Sequence, residues 1–259
     1  MNVAVIGAAG RMGTEVCRAV SACQDLTLAA AVDPARAGQR LDEVIGISSN
    51  VIISGSLEEL DVATIDCAVE FTGPATVAQN LCWLLEHGIH TVVGATGLTD
   101  DAIETARTCA TRGGVNALIA PNFAIGAVLL ERFAKQAVAY FPHVEVIELH
   151  HDQKVDAPSG TALRTAQLLG DARTTKVTTV GGDERHPGAR GATVNGVAVH
   201  SVRLPGLIAH EEVIFGGEGE ILTLRHDSLS RTSFMPGVLH AIRHVATLDG
   251  VAVGLDQIL

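Results

Sequence analysis

The 259 residues carry 29 acidic against 18 basic side chains, a net charge of −11 that repels phosphate backbones and anionic membrane surfaces, so nucleic acid and membrane are excluded as partners. An apolar fraction of 47 % with only 3 % aromatic residues and 27 glycines excludes a disordered or fibrous chain and suits parallel strands covered by alanine-rich helices. The length fits one large α/β domain or two modest ones, and two is the expectation.

In the first half, short apolar runs read as buried parallel strands at Val3–Ile6, Leu26–Val32, Cys67–Phe71, Thr91–Val93 and Ala117–Ile119. Amphipathic stretches between them predict helices near Arg11–Ala22, Ala75–Glu86, Asp100–Thr111 and Ile125–Ala139. Strand and helix in turn is the doubly wound pattern. Near Pro142 the pattern becomes alternating, at Val144–His150, Val197–Arg203, Glu211–Phe215 and Glu220–Arg225, which predicts a half-exposed antiparallel or mixed sheet. One helix interrupts it, from about Pro158 to Leu169, and Gly181–Gly196 reads as a mobile loop. A last helix, Phe234–Leu248, is expected to return to the first domain, giving a discontinuous domain of residues 1–124 and 233–259 around a second of residues 125–232. The chain begins on a strand-like run without a basic leader, and no window reaches the apolar length of a membrane span, so neither signal peptide nor transmembrane helix is expected. Cys17, Cys23, Cys67, Cys82 and Cys109 are odd in number and lack C-x-x-C spacing, so neither a disulfide framework nor a zinc knuckle is expected, and the cytosol is the expected compartment.

The opening run V-A-V-I-G-A-A-G-R-M-G places Gly7, Gly10 and Gly13 between a buried strand and a helix. Glycine there lets the backbone turn sharply and approach a pyrophosphate, which the helix N-terminus meets with unpaired N–H groups. The spacing departs from G-x-G-x-x-G at Ala9, so an ordinary tight turn is the rival reading. Asp33, ~20 residues on at the end of the second strand, can accept from the adenosine ribose hydroxyls and disfavours the extra phosphate of NADP. Arg11 and Arg36 could offset that repulsion, and a turn role before Pro34 is the rival reading for Asp33. The loops Gly94-Ala95-Thr96-Gly97 and Ala120-Pro121-Asn122-Phe123, with Phe71-Thr72-Gly73, end strands on the same sheet edge, where ligands of open α/β sheets bind.

The stretch from Glu148 to Ala162 leaves a strand, gathers His150, His151 and Lys154, and enters a helix. Pro158 suits the first helical position, which would leave the N–H groups of Ser159, Gly160 and Thr161 free for a substrate carboxylate, with the hydroxyls of Ser159 and Thr161 as further donors. His150 can give or take a proton near neutrality, and Lys154 can supply positive charge or a proton to a developing anion. Glu148 shares the face of His150 and could orient it, whereas His151 points the other way and is assigned to substrate binding. A metal is argued against, because H-H-x-x-K offers too few neutral ligands and places an ammonium where a cation would sit. His210 and Arg190 are given structural or surface roles.

With G-A-A-G-R-M-G, E-F-T-G-P, G-A-T-G, A-P-N-F-A-I-G and above all E-L-H-H-D-Q-K-V-D-A-P-S-G-T-A, essentially the whole chain resembles the dihydrodipicolinate reductases, also called 4-hydroxy-tetrahydrodipicolinate reductases, of bacterial lysine and diaminopimelate synthesis. The resemblance implies an α/β fold, in which an N-terminal Rossmann-type dinucleotide-binding domain is joined by hinges to a mixed-sheet α+β substrate and oligomerisation domain that assembles a homotetramer. It implies hydride transfer from NADH or NADPH to the ring of a small cyclic imine dicarboxylate formed after water loss, giving tetrahydrodipicolinate. It makes His150 proton donor and acceptor, and Lys154 the second proton donor. His151, Gly160 and Thr161 would hold substrate, while Gly7, Ala8, Ala9, Gly10, Arg11, Met12, Asp33, Gly94, Ala95, Thr96, Ala120, Pro121, Asn122 and Phe123 would line the cofactor. Ala95 stands where many members have threonine, and Pro34 where members that bind NADP through that position have arginine, which leaves the choice of dinucleotide open. Two other readings fit less well. A semialdehyde reductase would need a catalytic cysteine or lysine elsewhere, and a sensor that only binds dinucleotide would have no use for proton donors beside a helix N-terminus.

Overall fold

The computed structural model describes residues 1–175, 177 and 183–259. Two units emerge, one of residues 1–123 and 234–259, the other of residues 124–233.

The first unit is built on β1 (Asn2–Ile6), β2 (Thr27–Val32), β3 (Ile53–Ser54), β4 (Cys67–Glu70), β5 (His90–Val93), β6 (Ala117–Ile119) and β12 (Val251–Val253). They pair in the order β12-β6-β5-β4-β1-β2-β3, every pair parallel. The order in which strands are added reverses at β1, between β2 on one side and β4 on the other, which is the crevice where doubly wound sheets bind ligands. The helices of this unit are α1 (Arg11–Ser21), the short α2 (Leu41–Ile45), α3 (Val77–Glu86), α4 (Asp100–Gly113) and α7 (Met235–His244). Local chemistry sets their ends. Thr99 caps α4 by accepting from Ala102 N at 3.2 Å, Asp100 and Asp101 sit in its first turn, Arg112 in its last, and Gly114 closes it with φ +67°. Val77, Leu81 and Leu85 of α3 and Ala106, Cys109 and Ala110 of α4 bury one side of the sheet with Val93, Ala117 and Ile119.

Contrary to the expectation from cysteine count and spacing, Cys82 of α3 and Cys109 of α4 are joined in a disulfide with Cα atoms 5.5 Å apart. Helix packing brings them together across 27 residues, a proximity that local spacing does not encode. The same two sulfurs with the Glu86 carboxylate are the one grouping of potential metal ligands among the described residues, and the bridge leaves it no thiolate.

The second unit is a five-stranded sheet, β11-β10-β7-β9-β8, of β7 (His143–His150), β8 (Ala192–Val194), β9 (Val197–Arg203), β10 (Ala209–Gly217) and β11 (Glu220–Ser228). Only β7 and β9 run parallel, so the sheet is mixed. Val144, Val146, Val197, Val199, Val213 and Phe215 face one side, where α5 (Ile125–Ala137) and α6 (Gly160–Ala172) cover them with Leu130, Ala134, Ala166 and Leu169. This alternation puts Glu148 and His150 of β7 on the covered face, and Ile147 and Ile214 on the other.

Two expectations change here. Gly181 and Gly182 lie outside the described residues, and the rest of the expected loop is not all irregular: Ala192–Val194 pairs antiparallel with β9. Asn195 (φ +48°) and Gly196 (φ +75°) make the turn, both with the positive φ that a tight hairpin demands. α6 begins at Gly160 rather than at Pro158, because Ser159 takes the capping position.

Candidate active site

In the first unit, Gly7 turns the chain out of β1 with φ +79°, and a Cβ added there would lie 2.8 Å from the Phe71 carbonyl oxygen. A Cβ on Gly13 would lie 2.0 Å from the Gly7 carbonyl oxygen, so glycine at both positions lets α1 close onto the loop. The amides of Gly7 and Ala8 donate to Val32 O at 2.8 and 3.1 Å, that of Gly10 to Gly7 O at 3.0 Å, and that of Ala9 to Asp33 Oδ2 at 3.0 Å. Arg11 and Met12 open α1 behind the capping Gly10, and among the described residues their amides make no hydrogen bond, which leaves them able to donate to an anion.

Asp33 does more than sequence reasoning gave it. Its Oδ1 accepts from Ala35 N at 3.1 Å, the turn role weighed as a rival, while Oδ2 ties the end of β2 to the glycine loop. A cavity of about 510 Å³ opens between them, lined by Gly7, Gly10, Asp33, Pro34, Ser56, Glu58, Thr72, Asn80 and Trp83 among others. That volume lies in the range of small-molecule sites, about 300 to 1,000 Å³.

Other strand ends frame the same edge. Gly94 admits the rings of Phe71 and Phe123, whose centroids are 5.9 Å apart; a Cβ there would lie 2.2 Å from Phe71 and 2.9 Å from Phe123. Ala120 and Phe123 are buried, Gly94, Ala95 and Asn122 partly so, and Thr96 and Pro121 are exposed. Behind the loop, the fully buried Glu70 accepts from the Thr72 hydroxyl and, at 3.1 Å, from Asn80 Nδ2. Burial pushes its carboxyl above the usual range, against the pull of those hydrogen bonds.

In the second unit, Glu148 has no exposed side-chain surface and is saturated with donors. Arg203 grips it bidentately, Nη1 to Oε2 and Nη2 to Oε1 at 2.8 Å each, while His150 Nδ1 meets Oε2 at 2.5 Å and Ser159 N donates to Oε1 at 3.1 Å. Burial would push Glu148 up, but hydrogen bonds from Arg203, Ser201 and His150 outweigh it and hold the carboxyl below the usual range. His150 is held below the ordinary imidazole range by burial first, against which Glu148 works, with Lys154 and Arg203 adding to the lowering. With Nδ1 turned to the carboxylate, Nε2 is left without a partner among the described residues.

Lys154 Nζ sits 2.8 Å from both oxygens of Asp156, whose backbone oxygen accepts from Arg203 Nη2 at 2.6 Å. His151 lies just past the end of β7 and is half-buried. Ser159 departs from the expected substrate contact, because its amide serves Glu148, its hydroxyl accepts from Ala162 N at 3.2 Å, and it is 3 % exposed. Among the described residues, the unpaired amides of the first turn are therefore those of Gly160 and Thr161, and a Cβ at Gly160 would meet nothing within 4 Å, so space above them is open.

His210 is structural, with Nδ1 at 2.6 Å from Asp227 Oδ1 and Nε2 accepting from Ile208 N at 3.2 Å. Arg190 pairs with Glu145 at 2.6 Å. Sequence reasoning missed Arg203 and Asp156. Arg203 is 55 residues from Glu148, and only the parallel pairing of β7 with β9, which sets Arg203 opposite His150, reveals it. Asp156 had a signal, an acid two residues from Lys154 in an extended loop.

Residues 1–123 match the family model described as dihydrodipicolinate reductase, N-terminus, and residues 126–259 that of its C-terminus. The chain is 49 % identical over 262 residues to the 4-hydroxy-tetrahydrodipicolinate reductase of Listeria welshimeri, covering all of both chains. It is 48 % identical over 265 residues to that of Mycolicibacterium smegmatis, covering 100 % of this chain and 99 % of the relative. Among solved structures, a dipicolinate-bound dihydrodipicolinate reductase from Paenisporosarcina sp. TG-14 superposes with a TM-score of 0.89 at 42 % identity, covering 100 % of this chain and 99 % of the other.

Proposed function

The chain belongs to the dihydrodipicolinate reductase family, and on that premise we propose how its residues reduce 4-hydroxy-tetrahydrodipicolinate, by way of dihydrodipicolinate, to tetrahydrodipicolinate in diaminopimelate and lysine biosynthesis. When bound, NADH or NADPH supplies the hydride. The cradle fits a dinucleotide, because the missing Cβ atoms of Gly7 and Gly13 give the backbone close approach and the amides of Arg11 and Met12 are unspent. Gly7, Ala8, Ala9, Gly10, Arg11 and Met12 hold the pyrophosphate and Asp33 the adenosine ribose. Gly94, Ala95, Thr96, Ala120, Pro121, Asn122 and Phe123 line the nicotinamide end.

One substrate carboxylate is taken by the amides of Gly160 and Thr161 with the Thr161 hydroxyl, and His151 contacts the ring acid; Ser159 serves by capping α6. Addition of a hydride leaves an electron pair on the conjugated ring, and a proton must follow. His150 delivers it from Nε2, and Glu148, accepting from Nδ1, fixes the tautomer and stabilises the imidazolium. Lys154 places positive charge or a proton on the developing anion, for which it must leave Asp156. The observation that carries this reading is the Arg203–Glu148–His150 arrangement. It locks one imidazole with a free Nε2 on the element that leads into two unpaired helix amides.

The test is loss of reduced dinucleotide absorbance with substrate generated by a coupled synthase. His150→Ala and Lys154→Ala are each expected to lower kcat by about 10² to 10⁴, with dinucleotide affinity within about twofold, and pyridine-2,6-dicarboxylate is expected to compete with substrate. Unchanged turnover in both variants would overturn the assignment. The sheet face opposite α5 and α6 carries Ile147, Ile214 and the 74 %-exposed Ile221, which supports a homotetramer built through it; a monomer mass in sedimentation would refute that. No helix among the described residues is long and apolar enough to cross a membrane, and a nicotinamide-dependent biosynthetic reductase is assigned to the cytoplasm, where its dinucleotide is regenerated.

A further inference from the structure

We propose that the pocket at the carboxyl end of β2 selects the dinucleotide that lacks a 2′-phosphate, and that Glu58 is the second selecting carboxylate beside Asp33. This rests on the dinucleotide reading above and deepens it.

The cavity lined by Asp33 and Glu58 has no lysine or arginine among its lining residues. Asp33 is fixed in place by the Ala9 and Ala35 amides, one on each oxygen, so it cannot swing away from a ligand at the end of β2. Each of its oxygens keeps a lone pair for a ribose hydroxyl, a donor that a phosphate does not offer. Glu58 lines the same cavity from the short helical turn Leu57–Glu59 that follows Ser56 and Gly55. A hydrogen bond from the Ser56 hydroxyl holds its carboxyl below the usual range, so it is charged at neutral pH. Glu59 adds a third negative charge, its Oε2 accepting from Gly55 N at 2.9 Å. That turn therefore carries its own acids at its N-terminal end and offers no vacant anion site.

The two cations that sequence reasoning held in reserve do not supply a counter-charge inside the cavity. Arg11 and Arg36 are both exposed, and neither is among its lining residues. Pro34, which does line it, carries no charge where an arginine would grip a phosphate. A ribose 2′-phosphate carries about −1.5 to −2 charges. Two carboxylates lining the cavity that would receive it, at a surface dielectric and partly screened by salt, are expected to weaken its binding by about 10- to 100-fold.

The experiment titrates the protein without substrate, following the fluorescence of NADH and NADPH at pH 8, with 5′-AMP and 2′-AMP as competing probes. The native protein is expected to bind NADH about 10- to 100-fold more tightly than NADPH, and 5′-AMP more tightly than 2′-AMP. Glu58→Gln is expected to narrow the NADH to NADPH ratio by about 3- to 10-fold, by tightening NADPH while leaving NADH within about twofold. Equal or tighter NADPH binding by the native protein, or an unchanged ratio in Glu58→Gln, would overturn the inference and leave the dinucleotide reading standing. Failure of both dinucleotides to bind would overturn that reading itself, and the inference with it.

Discussion

Glu211 lies on β10, 6 % exposed, facing the helices, with Glu148 of β7 opposite it on one side and His226 of β11 on the other. Thr165 of α6 donates to its Oε1 at 2.6 Å, and among the described residues no cation is paired with it in the way Arg203 is paired with Glu148. Burial pushes the carboxyl up from 4.5 to about 7, Glu131 and Glu148 add to the rise, and the Thr165 hydroxyl pulls against it. The folded protein thus holds this proton more tightly than the unfolded chain. Below the unfolded value of 4.5 both states are protonated and the group costs nothing. As pH rises through the folded value near 7, stability is lost until both states are ionised. The rise from 4.5 to about 7 caps the loss at about 3 kcal/mol. Glu211→Gln cannot titrate, so its stability relative to native is expected to improve by up to about 3 kcal/mol between pH 5 and 8. A buried amide lacking an acceptor would lower both ends by about 1 to 3 kcal/mol without changing that slope. The assay is urea unfolding followed by circular dichroism at fixed protein concentration, since assembly would otherwise move the midpoints. Parallel stability curves for the two proteins across that range would refute the reasoning.

Removing the charge of Glu148 in Glu148→Gln is expected to lower kcat by about 10²-fold while leaving dinucleotide affinity within about twofold, measured by steady-state kinetics alongside direct titration. His150 must carry its proton to donate it, and burial already sets its pKa below the ordinary value, so the alkaline limb of kcat/KM is expected below about pH 6.5. Since Glu148 raises that pKa, the limb in Glu148→Gln is expected at still lower pH, and a limb that moves upward would contradict the arrangement. Gly7→Ala places a methyl 2.8 Å from the Phe71 carbonyl at φ +79° and is expected to cost more than about 1 to 3 kcal/mol and to weaken dinucleotide binding. Gly38→Ala, at φ +77° with nothing within 4 Å, carries the backbone strain alone, so an equal loss of Tm in both variants would count against the close approach at Gly7.

The parallel strands β1, β4, β5 and β6 were legible because burial on both faces makes each mostly apolar, while β2, exposed at alternate positions over its first half, was legible from the apolar run Leu28–Val32. β3 and β12 were not, since β3 has only two residues and β12 lies outside the strand–helix alternation of the first half; they exist because the sheet edge offers them partners. β8 was hidden by the charge and glycine around it, although Asn195-Gly196 is a hairpin signal that two-residue reading would have caught. The strict alternation of β7 correctly put Glu148 beside His150, because a two-residue period fixes the face. Arg203 escaped for the opposite reason: it pairs across a parallel crossover, and no local rule sets the register between β7 and β9. Ser159 was given a substrate because Pro158 was placed inside the helix. A serine at the capping position satisfies the helix first, and that geometry is decided by one residue of helix boundary.

Each ligand-binding edge rests on a buried carboxylate, and the two differ in charge for a physical reason. Glu70 anchors Thr72 and Asn80 behind the glycine loop with neutral donors only, so burial drives it toward its protonated form. A full negative charge there would oppose the pyrophosphate proposed for the neighbouring amides. Glu148 faces the opposite demand. It has a guanidinium on both oxygens and an imidazole on one, and it stays ionised although its side chain is wholly buried. Its charge is then available to stabilise an imidazolium on His150 without drawing in water, and removing Arg203 would leave that charge buried and uncompensated, at a cost of about 3 to 5 kcal/mol. Under the proposed mechanism Arg203 is therefore a positioning residue for His150, because its guanidinium holds the carboxylate that lies behind the imidazole.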